Sequence, residues 1–212
     1  MDSKYEIYNI DCLEKMKEYP DKYFDLVLTD PPYGVNFPYS MYEDTEENWY
    51  ALMEQAIPEM IRIGKITIFT AGRVKRMEWY YKNYPPKWII CWYKGNPSIH
   101  SPIGFNDWEP VLFYGNNKGL CMHDYLCVPP QHINKLEGHP CPKPVKWAKW
   151  FIERTTKEGD TVFDPFMGSG TTGAACMQLR RKFVGCEIDP NYFAGCERRL
   201  KEETAQIEID EL

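Results

Sequence analysis

The 212-residue sequence has no apolar run near the ~20 residues needed to cross a bilayer. Its amino terminus also lacks a signal-peptide pattern, so we expect a cytoplasmic protein with no membrane partner. Positive charge is scarce as well: 25 lysines and arginines against 31 acidic residues give a net charge of −6. Because phosphate contacts dominate nucleic-acid affinity, this balance argues mildly against such a partner. Two local basic groups are each typical of a solvated helix face: Arg73, Lys75 and Arg76, and Lys143, Lys146 and Lys149.

Closely spaced cysteine pairs are absent too. The eight cysteines include no CxxC motif, so in a chain without an export signal we expect reduced thiols. Cysteines and histidines crowd between residues 121 and 141, but their spacings match no zinc knuckle, and we expect no metal site.

The most informative stretch runs from Phe24 to Tyr33. Phe24 to Leu28 is apolar apart from Asp25, which predicts a short buried strand that ends before Asp30-Pro31-Pro32-Tyr33. The prolines stiffen the turn, so a carboxylate, free carbonyls and an aromatic ring follow the strand's carboxyl end. These groups suit a flat ring that bears an amino group, since the acceptors can take both N–H protons while the tyrosine covers the ring. A proline-rich turn with a capping aspartate explains the same residues without any function.

A second glycine-containing loop follows another apolar stretch. Asp164-Pro165-Phe166-Met167-Gly168-Ser169-Gly170 comes after a predicted strand and opens a helix, whose free N–H groups would face a ligand. No Walker lysine follows, so a phosphate cradle is not implied. Glu187 ends the next predicted strand about 20 positions later, the spacing of an acid that holds a ribose diol. Loop and acid together favour an adenosine-bearing cofactor, although alone Glu187 could be a surface acid.

Strand-like and helix-like stretches alternate through nearly the whole chain, which predicts an α/β fold with a mostly parallel sheet and helices on both faces. Stretches 87–93 and 109–114 have no helix between them, so we expect an antiparallel hairpin at a sheet edge. Residues 115–138 lose periodicity. Pro58 predicts a kink or break in the helix that begins near Glu46. With 43% hydrophobic residues, the chain is expected to form one domain, 1–212.

These motifs together resemble the beta class of DNA amino-methyltransferases. The catalytic motif from Asp30 precedes the cofactor loop from Asp164, which is the permuted order of that class. The segment His139-Pro140-Cys141-Pro142-Lys143-Pro144 resembles the one these enzymes place before the cofactor loop, with cysteine where the family usually has threonine. The resemblance spans nearly all of the chain except 115–138. It implies a Rossmann-like fold with a seven-stranded, mostly parallel sheet and one antiparallel edge strand.

The resemblance also implies a function. Asp30, Pro31, Pro32 and Tyr33 would receive a base extruded from double-stranded DNA and direct its exocyclic amino group to the methyl of S-adenosylmethionine, leaving S-adenosylhomocysteine. Adenine-N6 is the expected target and cytosine-N4 the alternative. Cys12 is expected to pack rather than react. The implied cofactor-binding residues are Asp11, Cys12, Lys143, Asp164, Pro165, Phe166, Gly168, Ser169, Gly170, Thr171, Glu187 and Ile188.

Two other functions stay open at this point. Similar motifs occur in enzymes that methylate RNA or protein amides, although those usually place the cofactor loop first. The second open function is that of a catalytically idle nucleic-acid-binding subunit, and the intact Asp30 and Tyr33 argue against it. We expect residues 115–138, together with loop 94–108, to form a short target-recognition insertion. Such a small acidic enzyme could need a second subunit, as in a homodimer, to hold DNA.

Overall fold

A computed structural model describes residues 4–95, 100–102, 104–117, 123–129 and 143–210. The strands are β1 Tyr5–Tyr8, β2 Phe24–Thr29, β3 Gly64–Thr70, β4 Trp88–Tyr93, β5 His100–Ser101, β6 Gly104–Phe105, β7 Trp108–Gly115, β8 Tyr125–Cys127, β9 Thr161–Asp164 and β10 Lys182–Cys186. The helices are α1 Cys12–Met16, α2 Glu46–Ile63, α3 Met77–Asn83, α4 Val145–Thr155, α5 Thr171–Gln178 and α6 Pro190–Asp210. A 3-10 turn at Val74–Arg76 precedes α3.

One sheet organises these elements in the order β1-β10-β9-β2-β3-β7-β4-β8, and β5 and β6 form a small separate hairpin. Strands β1, β10, β9, β2 and β3 are parallel neighbours. Strand β7 is antiparallel to both β3 and β4, while β8 is parallel to β4. The predicted α/β class, with a mostly parallel sheet, is therefore confirmed.

Two predicted details of the sheet are wrong. The main sheet has eight strands rather than seven, because Tyr125–Cys127 within the apparently irregular segment pairs with β4. The antiparallel strand β7 lies inside the sheet rather than at its edge. Its residues from Glu109 to Tyr114 are buried, as expected for a strand covered on both faces and paired on both sides. The predicted antiparallel pairing of stretches 87–93 and 109–114 is present. Residues 118–122 and 130–138 of the predicted insertion lie outside the described residues.

Alternating side chains of the central strands pack into two hydrophobic cores, one on each face of the sheet. Leu26 and Leu28 of β2 face one core with α4 and α5, whereas Val27 faces the other with α2. Helix α2 continues through Pro58 without the predicted break. Proline removes the hydrogen bond to the carbonyl of Glu54 four residues earlier, and the Tyr84 hydroxyl donates to that carbonyl instead at 3.0 Å. None of the helices in the described ranges is long and apolar enough to span a membrane.

Candidate active site

The predicted functional residues meet at the carboxyl ends of four neighbouring parallel strands. Asp11 follows β1, Glu187 follows β10, Asp164 ends β9 and Asp30 follows β2. From β9 the chain continues to β10 on one side, and from β2 it continues to β3 on the other. The sheet therefore reverses its winding between β9 and β2. Open α/β sheets bind ligands in the crevice at such a point.

A cleft of about 810 Å³ opens over β1, β10 and β9, and we call it the acidic cleft. It holds carboxylates, apolar side chains and aromatic rings, but no lysine or arginine is among the described residues that line it. A pyrophosphate would find no cation there, whereas a positively charged ligand would be attracted. Its lining residues are Ile10, Asp11, Cys12, Asp30, Pro32, Tyr39, Met41, Tyr42, Leu52, Pro165, Phe166, Glu187, Ile188, Asp189 and Tyr192.

Glu187 is fixed in this cleft by backbone donors. The Gly168 amide donates to its Oε2 at 2.9 Å, and the Asp189 amide donates to its Oε1 at 2.9 Å. Burial raises the pKa of Glu187, and these two hydrogen bonds oppose the rise. Each carboxylate oxygen keeps a second lone pair, so Glu187 can still accept from two neighbouring hydroxyl groups of a ligand.

Asp11 and Asp189 are held in the same way, at helix starts. The Leu13 amide donates to Asp11 at 2.8 Å, and the Asn191 amide donates to Asp189 at 2.7 Å. Sequence reasoning missed Asp189, which is buried and accepts a further hydrogen bond from the Ser40 hydroxyl. Burial would raise the pKa of Asp189, but the hydrogen bonds outweigh burial and lower it. Burial raises the pKa of the Cys12 thiol well above its ordinary value, in keeping with a packing role.

The glycine loop needs glycine for backbone reasons. Gly168 and Gly170 both have positive φ, at 49° and 76°. A Cβ on Gly170 would lie 2.5 Å from the Cys196 sulfur, which would have to move, and the positive φ would strain any other residue. Asp164 before the loop is buried and accepts from the Thr29 hydroxyl at 2.6 Å. Desolvation raises its pKa to about 6, against opposing hydrogen bonds.

A second cleft of about 820 Å³ adjoins the first, and we call it the catalytic cleft. The two share Asp30, Tyr39 and Phe166, so Asp30 lies at their boundary. The segment between Gly34 and Thr45 contributes aromatic side chains to both clefts, although its irregular sequence predicted only a loop. The lining residues of the catalytic cleft are Asp30, Pro31, Tyr33, Val35, Phe37, Tyr39, Asp44, Lys143, Trp147, Asp164, Phe166, Ser169, Thr171 and Thr172.

The Tyr33 hydroxyl lies among charged groups in the catalytic cleft. It is 2.5 Å from Asp30 Oδ1, 3.0 Å from the Thr70 hydroxyl and 3.0 Å from Lys143 Nζ. Glu109 Oε1 is also within hydrogen-bonding distance of this hydroxyl. Lys143 Nζ pairs with Asp30 Oδ2 at 2.9 Å. Burial and the two nearby carboxylates raise the pKa of Tyr33 well above its ordinary value, so the phenol keeps its proton.

Arg76 and Asp44 support the backbone around this motif, and sequence reasoning missed both roles. The buried Arg76 guanidinium stacks on Trp49 at 3.8 Å and donates to the carbonyls of Tyr33 and Gly34. Asp44 is buried and accepts from the Gly34 amide at 2.6 Å. Arg76 was interpreted as part of a solvated face; that interpretation is wrong, because the guanidinium is packed under the catalytic motif.

The structure brings the predicted site residues together. Gly168 and Gly170 line neither cleft themselves but shape the loop between them. Lys143, assigned to the cofactor by resemblance, contacts Asp30 and Tyr33 through its ammonium group. Its carbonyl accepts from the Thr171 hydroxyl at 3.1 Å, which ties it to the glycine loop. The individual roles of these residues remain predictions. No group of three or more His, Cys, Asp or Glu able to hold a metal occurs within the described ranges.

A family model for "DNA methylase", covering N6- and N4-methyltransferases, matches residues 72–198. That is more than half of the chain. The chain belongs to this DNA methylase family. The predicted beta-class resemblance is thereby confirmed.

Two curated relatives are similar over about nine tenths of the chain, and a third is similar over about half of it. The type II methyltransferase M.HinfI of Haemophilus influenzae is 28% identical over 91% of this chain and 67% of its own length. The DNA adenine methyltransferase YhdJ of Escherichia coli is 26% identical over 90% of this chain and 80% of its own. The type II methyltransferase M2.DpnII of Streptococcus pneumoniae is 42% identical, over 54% of this chain and 50% of its own.

Solved structures share the fold. The cytosine-N4-specific PvuII DNA methyltransferase superposes with a TM-score of 0.70 at 19% identity, covering 97% of this chain and 93% of that one. The M1.HpyAVI–SAM complex gives a TM-score of 0.65 at 24% identity, covering 92% and 98%. These similarities support the Rossmann-like methyltransferase architecture described above.

Proposed function

We propose that this protein transfers the methyl group of S-adenosylmethionine to an exocyclic amino group of a base in double-stranded DNA. The observation that carries the proposal is the position of Asp30 at the boundary of two adjoining clefts. One cleft suits a cationic adenosine ligand, and the other contains the hydrogen-bonding groups of the Asp30–Tyr33 motif. A ligand in each would place a methyl donor and an amino acceptor on either side of one carboxylate.

The acidic cleft fits the cofactor by its chemistry. Glu187 offers free lone pairs to a ribose diol, and Phe166 and Ile188 offer apolar surface to an adenine ring. Asp11, after β1, is the carboxylate that the family resemblance directs to the adenine. When bound, S-adenosylmethionine supplies a methyl group activated by a sulfonium charge. The cleft's carboxylates, without lysine or arginine among its lining residues, favour that positive charge. The M1.HpyAVI–SAM complex supports the assignment as a neighbour that binds this cofactor.

The catalytic cleft would receive the base. An exocyclic amino group is inaccessible inside a DNA stack, so the base must be extruded to react. Its amino nitrogen is a poor nucleophile because the lone pair is delocalised into the ring. Asp30 and the Pro31 carbonyl would accept hydrogen bonds from its two N–H groups and so localise that lone pair on the nitrogen. Lys143 pairs with Asp30 Oδ2 and fixes the orientation of the carboxylate.

We propose adenine-N6 as the target, with cytosine-N4 as the alternative. Aspartate at the first position of the motif accompanies adenine more often in the resembling family, and the relative YhdJ is named a DNA adenine methyltransferase. Both bases present an amino group on the pairing edge, so the geometry suits either. Digestion of modified DNA to nucleosides and mass spectrometry decides the base. N6-methyl-2′-deoxyadenosine is the expected product, and methylation at cytosine-N4 alone would overturn the base assignment.

The class of acceptor is tested separately. Labelled S-adenosylmethionine is offered in parallel to double-stranded DNA, RNA and protein. We expect label in DNA. Label confined to RNA or protein would contradict the proposal, and absence of transfer by a folded, cofactor-binding chain would indicate an idle subunit.

We also propose that loop 94–108 and residues 115–138 select the target sequence, and that a homodimer holds the DNA. The segment 115–138 is about 24 residues long, so the recognised DNA sequence should be short or loosely read. Sequencing of DNA methylated by the pure enzyme tests this, and a strict site of eight or more base pairs would contradict it. Sedimentation with and without DNA tests the homodimer, and a single chain per DNA site would contradict it.

A further inference from the structure

The Tyr33 hydroxyl contacts two carboxylates that are positioned by different strands. Asp30 follows β2, whereas Glu109 belongs to β7, and the phenol oxygen is within hydrogen-bonding distance of both. Glu109 is only 3% exposed. Its second oxygen pairs with Lys94 Nζ at 2.7 Å. A chain of contacts thus runs from Lys94 through Glu109 and Tyr33 to Asp30 and Lys143.

A phenol has one proton and can donate it to one acceptor at a time. Asp30 Oδ1 has a further donor, because the Thr70 hydroxyl also contacts it. When the Tyr33 hydroxyl donates its hydrogen bond to Asp30, Asp30 Oδ1 accepts from both hydroxyls and Oδ2 is paired with Lys143. A substrate amino group would then meet a carboxylate whose acceptor sites are largely filled.

We propose that Glu109, charged and held by Lys94, takes the Tyr33 hydrogen bond during the reaction and so releases Asp30 to accept from the substrate amino group. Glu109 acts as a positioning residue through the Tyr33 hydroxyl, and Lys94 acts by pairing with Glu109. This inference rests on the proposed function, since Asp30 must receive the amino group.

The burial of this pair supports the inference. A buried carboxylate is costly unless it is paired and hydrogen-bonded, and Glu109 meets both conditions through Lys94 and Tyr33. Each of the two carboxylates has its own lysine, since Lys94 pairs with Glu109 at 2.7 Å and Lys143 pairs with Asp30 at 2.9 Å.

The test is a double-mutant cycle on Glu109→Gln and Tyr33→Phe, measured as steady-state DNA methylation. Glu109→Gln should lower kcat about tenfold, the loss of one charged hydrogen bond. Cofactor affinity by calorimetry and KM for DNA should change less than about twofold. In the Tyr33→Phe background, Glu109→Gln should have no further effect on kcat, because the hydroxyl through which it acts is gone.

Two further variants complete the design. Lys94→Gln breaks the pair from its more exposed side and should follow the same pattern with a smaller loss, so the test survives if Glu109→Gln fails to fold. Asp25→Asn is the matched control. It breaks a lysine–carboxylate pair of 2.6 Å with Lys65 near the start of β2, far from the clefts, and should leave kcat unchanged.

The outcomes separate the two proposals. Equal losses of kcat from Glu109→Gln in the wild-type and Tyr33→Phe backgrounds would overturn the positioning role, as would an unchanged kcat in a folded Glu109→Gln protein. Absence of DNA methylation by the wild-type chain would overturn the proposed function and this inference with it.

Discussion

The two clefts of the site use carboxylates in different ways. In the acidic cleft, Glu187, Asp11 and Asp189 accept hydrogen bonds from backbone amides, and no lysine or arginine is present among the described lining residues. At the catalytic side, Asp30 pairs with Lys143 at 2.9 Å and Glu109 pairs with Lys94 at 2.7 Å. The same chemical group is therefore left charged on one side and neutralised on the other.

The difference follows from what each side must hold. Backbone amides fix a carboxylate without cancelling its charge, so the acidic cleft keeps a negative field for a cationic ligand. A lysine cancels the charge but leaves oxygen lone pairs for hydrogen bonds, which suits a neutral base. The site is thus divided into an attracting half, which favours a cationic ligand, and an orienting half, which holds a neutral base by hydrogen bonds.

The largest expected effect comes from Asp30→Ala. Methyl transfer should fall by roughly 10³-fold, because the acceptor of the amino protons is lost. The cofactor dissociation constant should change little, since Asp30 serves the orienting half. Calorimetry on the variant checks this, and loss of cofactor binding by a folded protein would show that Asp30 has been assigned to the wrong half.

Arg76→Met tests whether the catalytic motif depends on a buried cation for its structure. The variant should lose about 2–4 kcal/mol in the free energy of unfolding, because the buried carbonyls of Tyr33 and Gly34 lose their donor. Urea unfolding measures the loss. Lys75→Met, which removes a neighbouring cation paired at 3.3 Å with the exposed Glu46, is the control and should change stability by less than about 0.5 kcal/mol. Equal losses in the two variants would contradict the structural role of Arg76.

Glu187→Ala tests the attracting half. Cofactor affinity should weaken by roughly 1–3 kcal/mol when a charged hydrogen bond to the ribose is lost. Glu187→Gln keeps the shape and one acceptor, so it should weaken binding less. An unchanged dissociation constant in both variants would rule out the ribose assignment.

The smallest effect concerns the pH dependence of stability at Asp164. Its pKa of about 6 lies above the ordinary value of 3.8, so the folded state binds the proton more tightly than the unfolded state. The stability that this proton contributes is present below pH 3.8 and is lost as pH rises through about 6. Asp164→Asn removes this titration. Its free energy of unfolding, measured relative to that of the wild type, should therefore rise by about 1 kcal/mol between pH 5 and pH 7.5. Urea unfolding at both pH values measures it, and a constant difference would show that Asp164 titrates normally.

Features built from strand ends could be predicted from the sequence. Asp30 and Glu187 each follow an apolar stretch, and parallel strands place such ends along one edge. Glu109 and Lys94 could not be found in this way, because their proximity to Tyr33 depends on β7 lying between β3 and β4. The burial of Arg76 depends likewise on Trp49, from a helix distant in sequence. The three-residue strand β8 is too short to show periodicity.

The division of the site is tested most directly by the single-turnover rate of DNA methylation at saturating cofactor, compared between Asp30→Asn and Glu187→Gln. Both changes remove one charge with little change in shape. We expect Glu187→Gln to stay within about threefold of the wild-type rate and Asp30→Asn to be at least about 100-fold slower. Equal slowing of both variants at saturating cofactor would contradict a site divided into an attracting and an orienting half.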